Sequence, residues 1–360
     1  LPYHLADLYV RGAVAEFLAF FWLPLVLWAF HRLVQDLDDL RFYRLGLASL
    51  LLVALLVTHS LTAFIFAPVV AAYVILLLIK QRDRRALGSV AGVLALALVV
   101  SAFYWLPVLT EAQYVGLGYG RSEGYQDHLL DLQVLFSLNP TYPYPVDPSV
   151  ARVFPLGLLQ VVVVVVALVL VFLPRQRRWA TLFFLAVALV SGFMLTMAAL
   201  PVWRAFERGL AFLQYPWRFQ ALTALATGFL AGAIVEGLAD AASRGRAVLC
   251  ALLLLATGAW ALWWLPVTSI APDLSNEAMW QMDRDHGQVG ATWTGEYLPI
   301  WVEEQRWAIS HPLSESAPAH VSLAAGEVEL TTVGYTRYDL ALDASQGTSL
   351  VLHQFHYPGW

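Results

Sequence analysis

Long apolar runs broken by short charged segments set the pattern of this chain. The stretch Tyr3 to Trp28, YHLADLYVRGAVAEFLAFFWLPLVLW, passes from water into lipid, with its apolar run beginning near Ala13 and ending near Phe30. A solvated connector, HRLVQDLDDLRFYR, follows. Leu45 to Ile79 is then almost continuously apolar. At about 1.5 Å per residue it is far too long for one crossing of a hydrocarbon core of about 30 Å, so it predicts two helices folded back on each other. Thr58, His59 and Ser60 are its polar cluster and mark the turn. Further spans are predicted over Ala86 to Val108, closed by an aromatic belt and a stop at Pro107, then over Phe154 to Leu173, Ala180 to Leu200, Pro216 to Gly237 and Ala247 to Leu265. The pattern predicts a polytopic α-helical membrane protein of about eight spans. Its membrane domain covers 1–266, with a polar outer loop at 109–152 and an amphipathic interfacial segment at 201–215.

Beyond Pro266 the helical runs cease and the period changes to two. Glu327 to Val333, Tyr335 to Leu342 and Ser349 to Phe355 alternate, separated by Gly326, Gly334 and the turn from Asp343 to Gly347. This predicts a C-terminal β-rich domain over 267–360, half of a sandwich. A chain that starts at Leu1 without methionine and stops at Trp360 directly after a strand-like run predicts a piece of a longer protein, with the β domain truncated.

Composition agrees with the pattern. With 59% hydrophobic and 13% charged residues and a mean hydropathy of +0.65, the 360-residue chain is too apolar for a soluble domain of its size. A net charge of -5 argues against nucleic acid and against a polybasic membrane anchor. The single cysteine, Cys250, excludes an intrachain disulfide. Most of the 21 Lys and Arg fall in the short loops 31–44, 80–85, 174–178 and 239–246, so the positive-inside rule puts the N-terminus outside. An even number of spans then makes the C-terminus extracytoplasmic as well. The tail carries twelve acidic side chains against three arginines and is not built to lie on anionic lipid.

Ionisable residues at membrane depth or beside it are the candidates for chemistry. Asp7 and Arg11, four residues apart with the acid first, share a helical face and can pair. They supply either a base and a phosphate-binding cation or a salt bridge that fixes the first helix. Glu16 lies about one turn inside the first apolar run, either as part of a polar site at the outer mouth of the bundle or as an interfacial acid held by arginine or water. In FLQYPWRF, Phe212 to Phe219, Pro216 suits the first position of a helix, whose start carries a positive dipole end. Trp217 and Arg218 follow it, and the added cation calls for an anion nearby: a phospholipid head group, the diphosphate of a lipid carrier, or a carboxylate such as Glu111. In the outer loop, Glu111 and His128, with Asp127, Asp131 and the tyrosines Tyr114, Tyr119 and Tyr125, combine carboxylates with aromatic faces. That combination suits sugar recognition and a general base, and equally a solvated loop. His59 either lines the same cavity or caps its helix. No spacing matches a zinc site, a P-loop, a nucleotide-binding glycine fingerprint or a GxSxG elbow, and no cofactor is named by the sequence.

Several of these stretches together resemble the large bacterial membrane proteins of the 6-pyruvoyl-tetrahydropterin synthase-related family, which are similar to C-type, lipid-carrier-dependent glycosyltransferases. The matching pieces are the first stretch, THSLTAF, FYWLPVLTEAQYV, DHLLDLQVLFS, FLQYPWRF and the terminal FHYPGW. The resemblance implies a multi-span helical core, an extracytoplasmic β domain and transfer of a sugar from a polyprenyl-phosphate donor. It also implies that the superfamily's catalytic acid sits on an outer loop upstream of Leu1, which leaves the residues here as cavity or carrier-binding groups. A pterin activity does not follow, because the histidines lack zinc-ligand spacing.

The sequence therefore points to an integral membrane glycosyltransferase-like protein acting on a lipid-linked sugar at the extracytoplasmic face. Asp7 and Glu111 are its candidate catalytic residues. Arg11, Glu16, His59, His128, Trp217 and Arg218 are its candidate substrate-binding residues, and no metal ligands are assigned. A lipid-linked glycan flippase and a non-enzymatic cell-envelope scaffold are the alternatives.

Overall fold

The computed structural model describes residues 2–9, 11–36, 41–116, 125–137, 154–171, 178–237, 243–264, 275, 278, 299–301, 321–333, 338–344 and 347–352. Tyr119, Gly334 to Arg337, much of the outer loop, most of the tail before Val321 and the terminal FHYPGW lie outside them. The chain divides into two compact units, one of Leu1–Leu106 with Glu123–Thr268, the other of Pro107–Ser122 with Ser269–Trp360. The loop read from sequence as one element, 109–152, is thus shared between the two.

The first unit is helical. A short helix α1 (Pro2–Tyr9) precedes α2 (Val14–Gln35), α3 (Arg41–Thr58), α4 (Ser60–Gln81) and α5 (Arg84–Val100). The break expected at His59 is where α3 gives way to α4. His59 takes an extended backbone, and its Nδ1 accepts from the Thr62 N–H at 3.3 Å, satisfying a donor that the new helix would leave bare. At the other end of α4, Arg82 adopts a left-handed conformation, and Asp83 caps α5 by accepting the Arg85 N–H at 2.8 Å. The charged run KQRDRR is therefore a tight helix-to-helix turn. Apolar side chains from α2, α3, α4 and α5 form one continuous core with those of α8 (Leu158–Leu170), α9 (Arg178–Phe193) and α12 (Gln220–Gly237). Their other faces expose large apolar side chains such as Phe21, Leu50, Ile75 and Val99, as lipid-facing helices do.

Four stretches are long and apolar enough to cross a membrane: Val14–Gln35, Arg41–Thr58, Ser60–Gln81 and Pro216–Glu236. Counting a bent pair as one crossing adds a fifth. That pair corrects the fourth predicted span. Helix α5 ends at Val100, and α6 (Ala102–Glu111) continues at 63°, running through Pro107, which was expected to stop it. The break falls at Ser101. Its Oγ donates to the Ala97 carbonyl at 2.7 Å beside its own N–H at 2.9 Å, and the Trp105 indole takes the Leu98 carbonyl at 2.9 Å, so side chains join the ladder there. The apolar helices within α8, α9 and α13 (Ser243–Trp264) are shorter, in part because Phe154 to Gly157 is not helical and because α9 stops at Phe193. After Phe193 the chain turns: the Leu195 carbonyl accepts from Leu130, and Leu130 in turn accepts from Met197.

The segment 201–215, expected as an interfacial helix, is built from two short helices, α10 (Leu200–Ala205) and α11 (Glu207–Leu210), and a 3-10 turn. Trp203 does not face an interface. It is fully buried, with its indole donating to the Met194 carbonyl at 3.1 Å, while Phe206 and Phe212 remain exposed. A 3-10 turn over Tyr125–His128 packs here through Tyr125, which stacks on Trp203, and α7 (Leu132–Leu135) follows that turn in the chain.

In the second unit the described strands are β1 (Val321–Leu323), β2 (Glu327–Val333), β3 (Tyr338–Asp343) and β4 (Leu350–Leu352). They form two antiparallel pairs, β1 with β4 and β2 with β3, the latter with an irregularity between Leu330 and Thr332. Gly326, with φ +106°, opens β2 where a side chain would meet the Asp343 backbone. Tyr114 joins this unit through an Ile300 N–H to Tyr114 carbonyl bond of 3.0 Å and a ring contact with Trp301.

Candidate functional site

Two acids and two arginines meet at the start of α2 and of the helix that begins at Pro216. Arg11 leaves the turn after α1, just before Gly12, whose φ of +64° suits only glycine comfortably. Its Nη1 donates to Asp7 Oδ1, to Glu16 Oε2 at 3.0 Å and to the Tyr3 hydroxyl at 3.0 Å. The Tyr3 hydroxyl donates in turn to Glu16 Oε1 at 2.7 Å. Arg218 reaches the same acid, with Nε 3.6 Å from Glu16 Oε2, while its Nη1 donates to the Leu213 carbonyl at 2.8 Å. The anion that the Arg218 position called for is therefore Glu16, and Glu16 also lies in the first turn of α2, where the dipole favours a carboxylate.

The two acids and the tyrosine are buried, while Arg11 keeps some exposure. Asp7 is 0%, Glu16 1% and Tyr3 2% exposed. Burial, reinforced by the negative charge of Glu16 and only partly offset by Arg11 and Arg218, pushes the Asp7 carboxyl up to about 7. The Tyr3 phenol is raised well above its ordinary value, first by burial and then by Glu16. For Arg11 burial alone would lower the pKa, but Tyr3, Glu16 and Asp7 outweigh it and keep the guanidinium charged. Three atoms of the cluster have no hydrogen-bond partner among the described residues, Asp7 Oδ2, Arg218 Nε and Trp217 Nε1. All hydrogen bonds of Arg11's guanidinium within the described residues run through Nη1, leaving Nε and Nη2 to other partners.

Aromatic rings border the charges. Tyr215 and Trp217 stack with centroids 4.4 Å apart and planes 6° from parallel. The Arg11 guanidinium lies 5.8 Å from the Trp217 ring and that of Arg218 5.5 Å from Tyr215. His128, carried in by the 3-10 turn over Tyr125–His128, sets its ring edge against both, at 5.1 Å and 4.8 Å. Phe154 and Tyr3 close the group behind Trp217.

The fold thus brings Asp7, Arg11, Glu16, Trp217, Arg218 and His128 into one neighbourhood. His59 is near enough for its charge to couple to Glu16, Arg218 and Arg11, although burial lowers its pKa and its Nδ1 is engaged with Thr62 as a cap. Glu111 is exposed and lies in the second unit. Asp127 and Asp131 are exposed as well. Tyr3 is the participant that sequence reasoning missed. The signal was present, because Tyr3 stands one helical turn before Asp7, on the face that Asp7 shares with Arg11. Among the described residues, no three His, Cys, Asp or Glu converge in a way that could hold a metal ion. In comparison with known proteins, no family model, no curated protein and no solved structure matches the chain.

Proposed function

We propose that this is an integral membrane glycosyltransferase-like protein that acts on a lipid-linked sugar at the extracytoplasmic face, with Asp7 as general base. The observation that carries the reading is the Asp7 carboxylate itself: buried, poised near neutrality, with one oxygen uncommitted beside a cation and a stacked aromatic pair. A base works best when its pKa lies close to the working pH. Arg11 offers unspent N–H groups to a phosphate, and the flat Tyr215 and Trp217 rings suit the apolar face of a sugar.

The topology belongs to the same proposal. The Glu16 to Arg218 ion pair supports α2 and the Pro216 helix starting at one face of the bundle. On this reading α2, α3, α4, the bent α5 and α6 pair, α8 and α9 are six crossings and α12 and α13 two more, of which four or five are long and apolar enough to cross a membrane. At the opposite ends of α2 and α4, and at the start of α9, His31 bonds Tyr73 and Lys80 sits 4.1 Å from the Trp179 ring, an arrangement suited to the cytoplasmic interface. The β-rich tail then stands outside.

The test is turnover of radiolabelled polyprenyl-phosphate glucose by the full chain in liposomes, read as sugar leaving the carrier. Activity rises with pH through about 7, and Asp7→Asn lowers it by about 100-fold or more while insertion is unchanged. Undiminished turnover in Asp7→Asn would refute the assignment. Movement of the intact lipid across the bilayer without sugar release would favour a flippase.

A further inference from the structure

No side chain of α6 (Ala102–Glu111) is buried, although the helix is apolar along most of its length. Phe103 is 69% and Leu109 70% exposed, and Leu106 and Val108 between them are exposed as well. At about 100° per residue these four side chains point to every side of the helix axis, so the apolar surface is a whole cylinder and not a stripe. No charge interrupts it before Glu111. Such a helix has no face suited to water, and a protein partner, which covers one side, would leave the others bare. Lipid can surround it.

The surface continues one that already has the character of a lipid-facing wall. Leu94, Leu98, Val99 and Val100 on α5 are exposed, and no charged residue occurs from Ala86 to Thr110. The 17 residues of α5 extend about 25 Å, most of a hydrocarbon core of about 30 Å. Beyond the 63° bend, the ten residues of α6 add only about 7 Å along the α5 axis, roughly the depth of one headgroup layer. The bend is held from both sides, by the Ser101 hydroxyl on the Ala97 carbonyl and the Trp105 indole on the Leu98 carbonyl.

We propose that α6 runs obliquely along the membrane surface, sunk to the level where acyl chains meet headgroups, with the lipids of one leaflet as its partner on all sides. Helix α5 carries the crossing, so the number of spans proposed above is unchanged, and the proposal stands apart from the sugar-transfer reading.

The experiment is a nitroxide scan of the full chain, in a Cys250→Ser background, reconstituted in phosphatidylcholine liposomes. Single labelled cysteines replace Phe103, Tyr104, Leu106, Val108 and Leu109, and collision with oxygen is compared with collision with a water-soluble nickel chelate. Oxygen exceeds the chelate at all five positions, and label depth rises and falls with the helical period instead of advancing along the chain. Three results overturn the proposal: a chelate-dominated position, which puts the helix in water; exclusion of both reagents, which means that a second copy or the tail covers it; and steadily changing depth, which makes α6 a straight continuation of the crossing. Each replaced side chain is exposed or half-buried, so insertion does not depend on it, and the remaining positions decide if one variant fails.

Discussion

Asp7 shows how one side chain can be both paired and restless. It is ion-paired with Arg11, yet burial and the neighbouring Glu16 hold its carboxyl at about 7 against an ordinary 3.8. A carboxyl whose folded pKa is raised binds its proton more tightly in the native state than in the unfolded chain. Its contribution to stability is fully present below the unfolded pKa and is lost as pH climbs through the folded one. Thermal unfolding in detergent from pH 4 to pH 8 should therefore show wild type losing stability relative to Asp7→Asn between about 4 and about 7, and parallel curves would contradict the assignment. The Asp7 to Arg11 pairing was legible in the sequence because i,i+4 spacing is local. The convergence of Glu16 and Arg218 was not, since their contact depends on how α2 and α12 pack, and no local pattern encodes it. Tyr3 was hidden for a different reason: an interfacial tyrosine reads as an anchor until its hydroxyl is seen to bridge an acid and an arginine.

Between elements, two kinds of polar contact hold the helices, and their magnitudes differ. Ser191 on α9 and Thr223 on α12 share a hydroxyl hydrogen bond of 2.8 Å, and Ser191 also donates to its own Val187 carbonyl. Intramembrane bonds of this kind average about 0.6 kcal/mol, because the hydroxyl left behind finds another partner. Glu16 is different, since it is buried and two largely buried guanidiniums lie against it. Removing one member of a buried charge pair costs about 3–5 kcal/mol. Unfolding titrations should rank Glu16→Gln well below Thr223→Val in stability, with Thr223→Val close to wild type; the reverse order would mean that the charge cluster is solvated. The element boundaries themselves were readable where polar residues interrupt apolar runs, as at His59 and Asp83. They were misread at Pro107, because the bend arises from Ser101 and Trp105 capturing carbonyls of the preceding turn, which a list of helix breakers does not contain.

For the whole molecule, the claim to be tested is sidedness. In a Cys250→Ser background, a membrane-impermeant maleimide applied to intact cells should label Glu207→Cys, at the exposed start of α11, and should reach Gln81→Cys, at the end of α4, only after permeabilisation. Labelling of both from one side would break the eight-crossing arrangement. That the chain is mostly helical, with runs long and apolar enough to cross a membrane, was plain from its hydropathy. The split of the 109–152 loop between two units was not, because it depends on a backbone bridge from Val115 to Pro299 across a long interval of sequence.

The bond between Glu16 and Arg218 also constrains the order in which the protein can be made. A ribosome delivers α2 long before α12, so until Arg218 is made the acid has, among the described residues, Arg11 as its only counter-ion, with Arg11 and Tyr3 as its donors. The first helix is therefore seated in full only when Arg218 emerges, and a nascent chain arrested before that point leaves an under-neutralised carboxylate for membrane quality control to recognise.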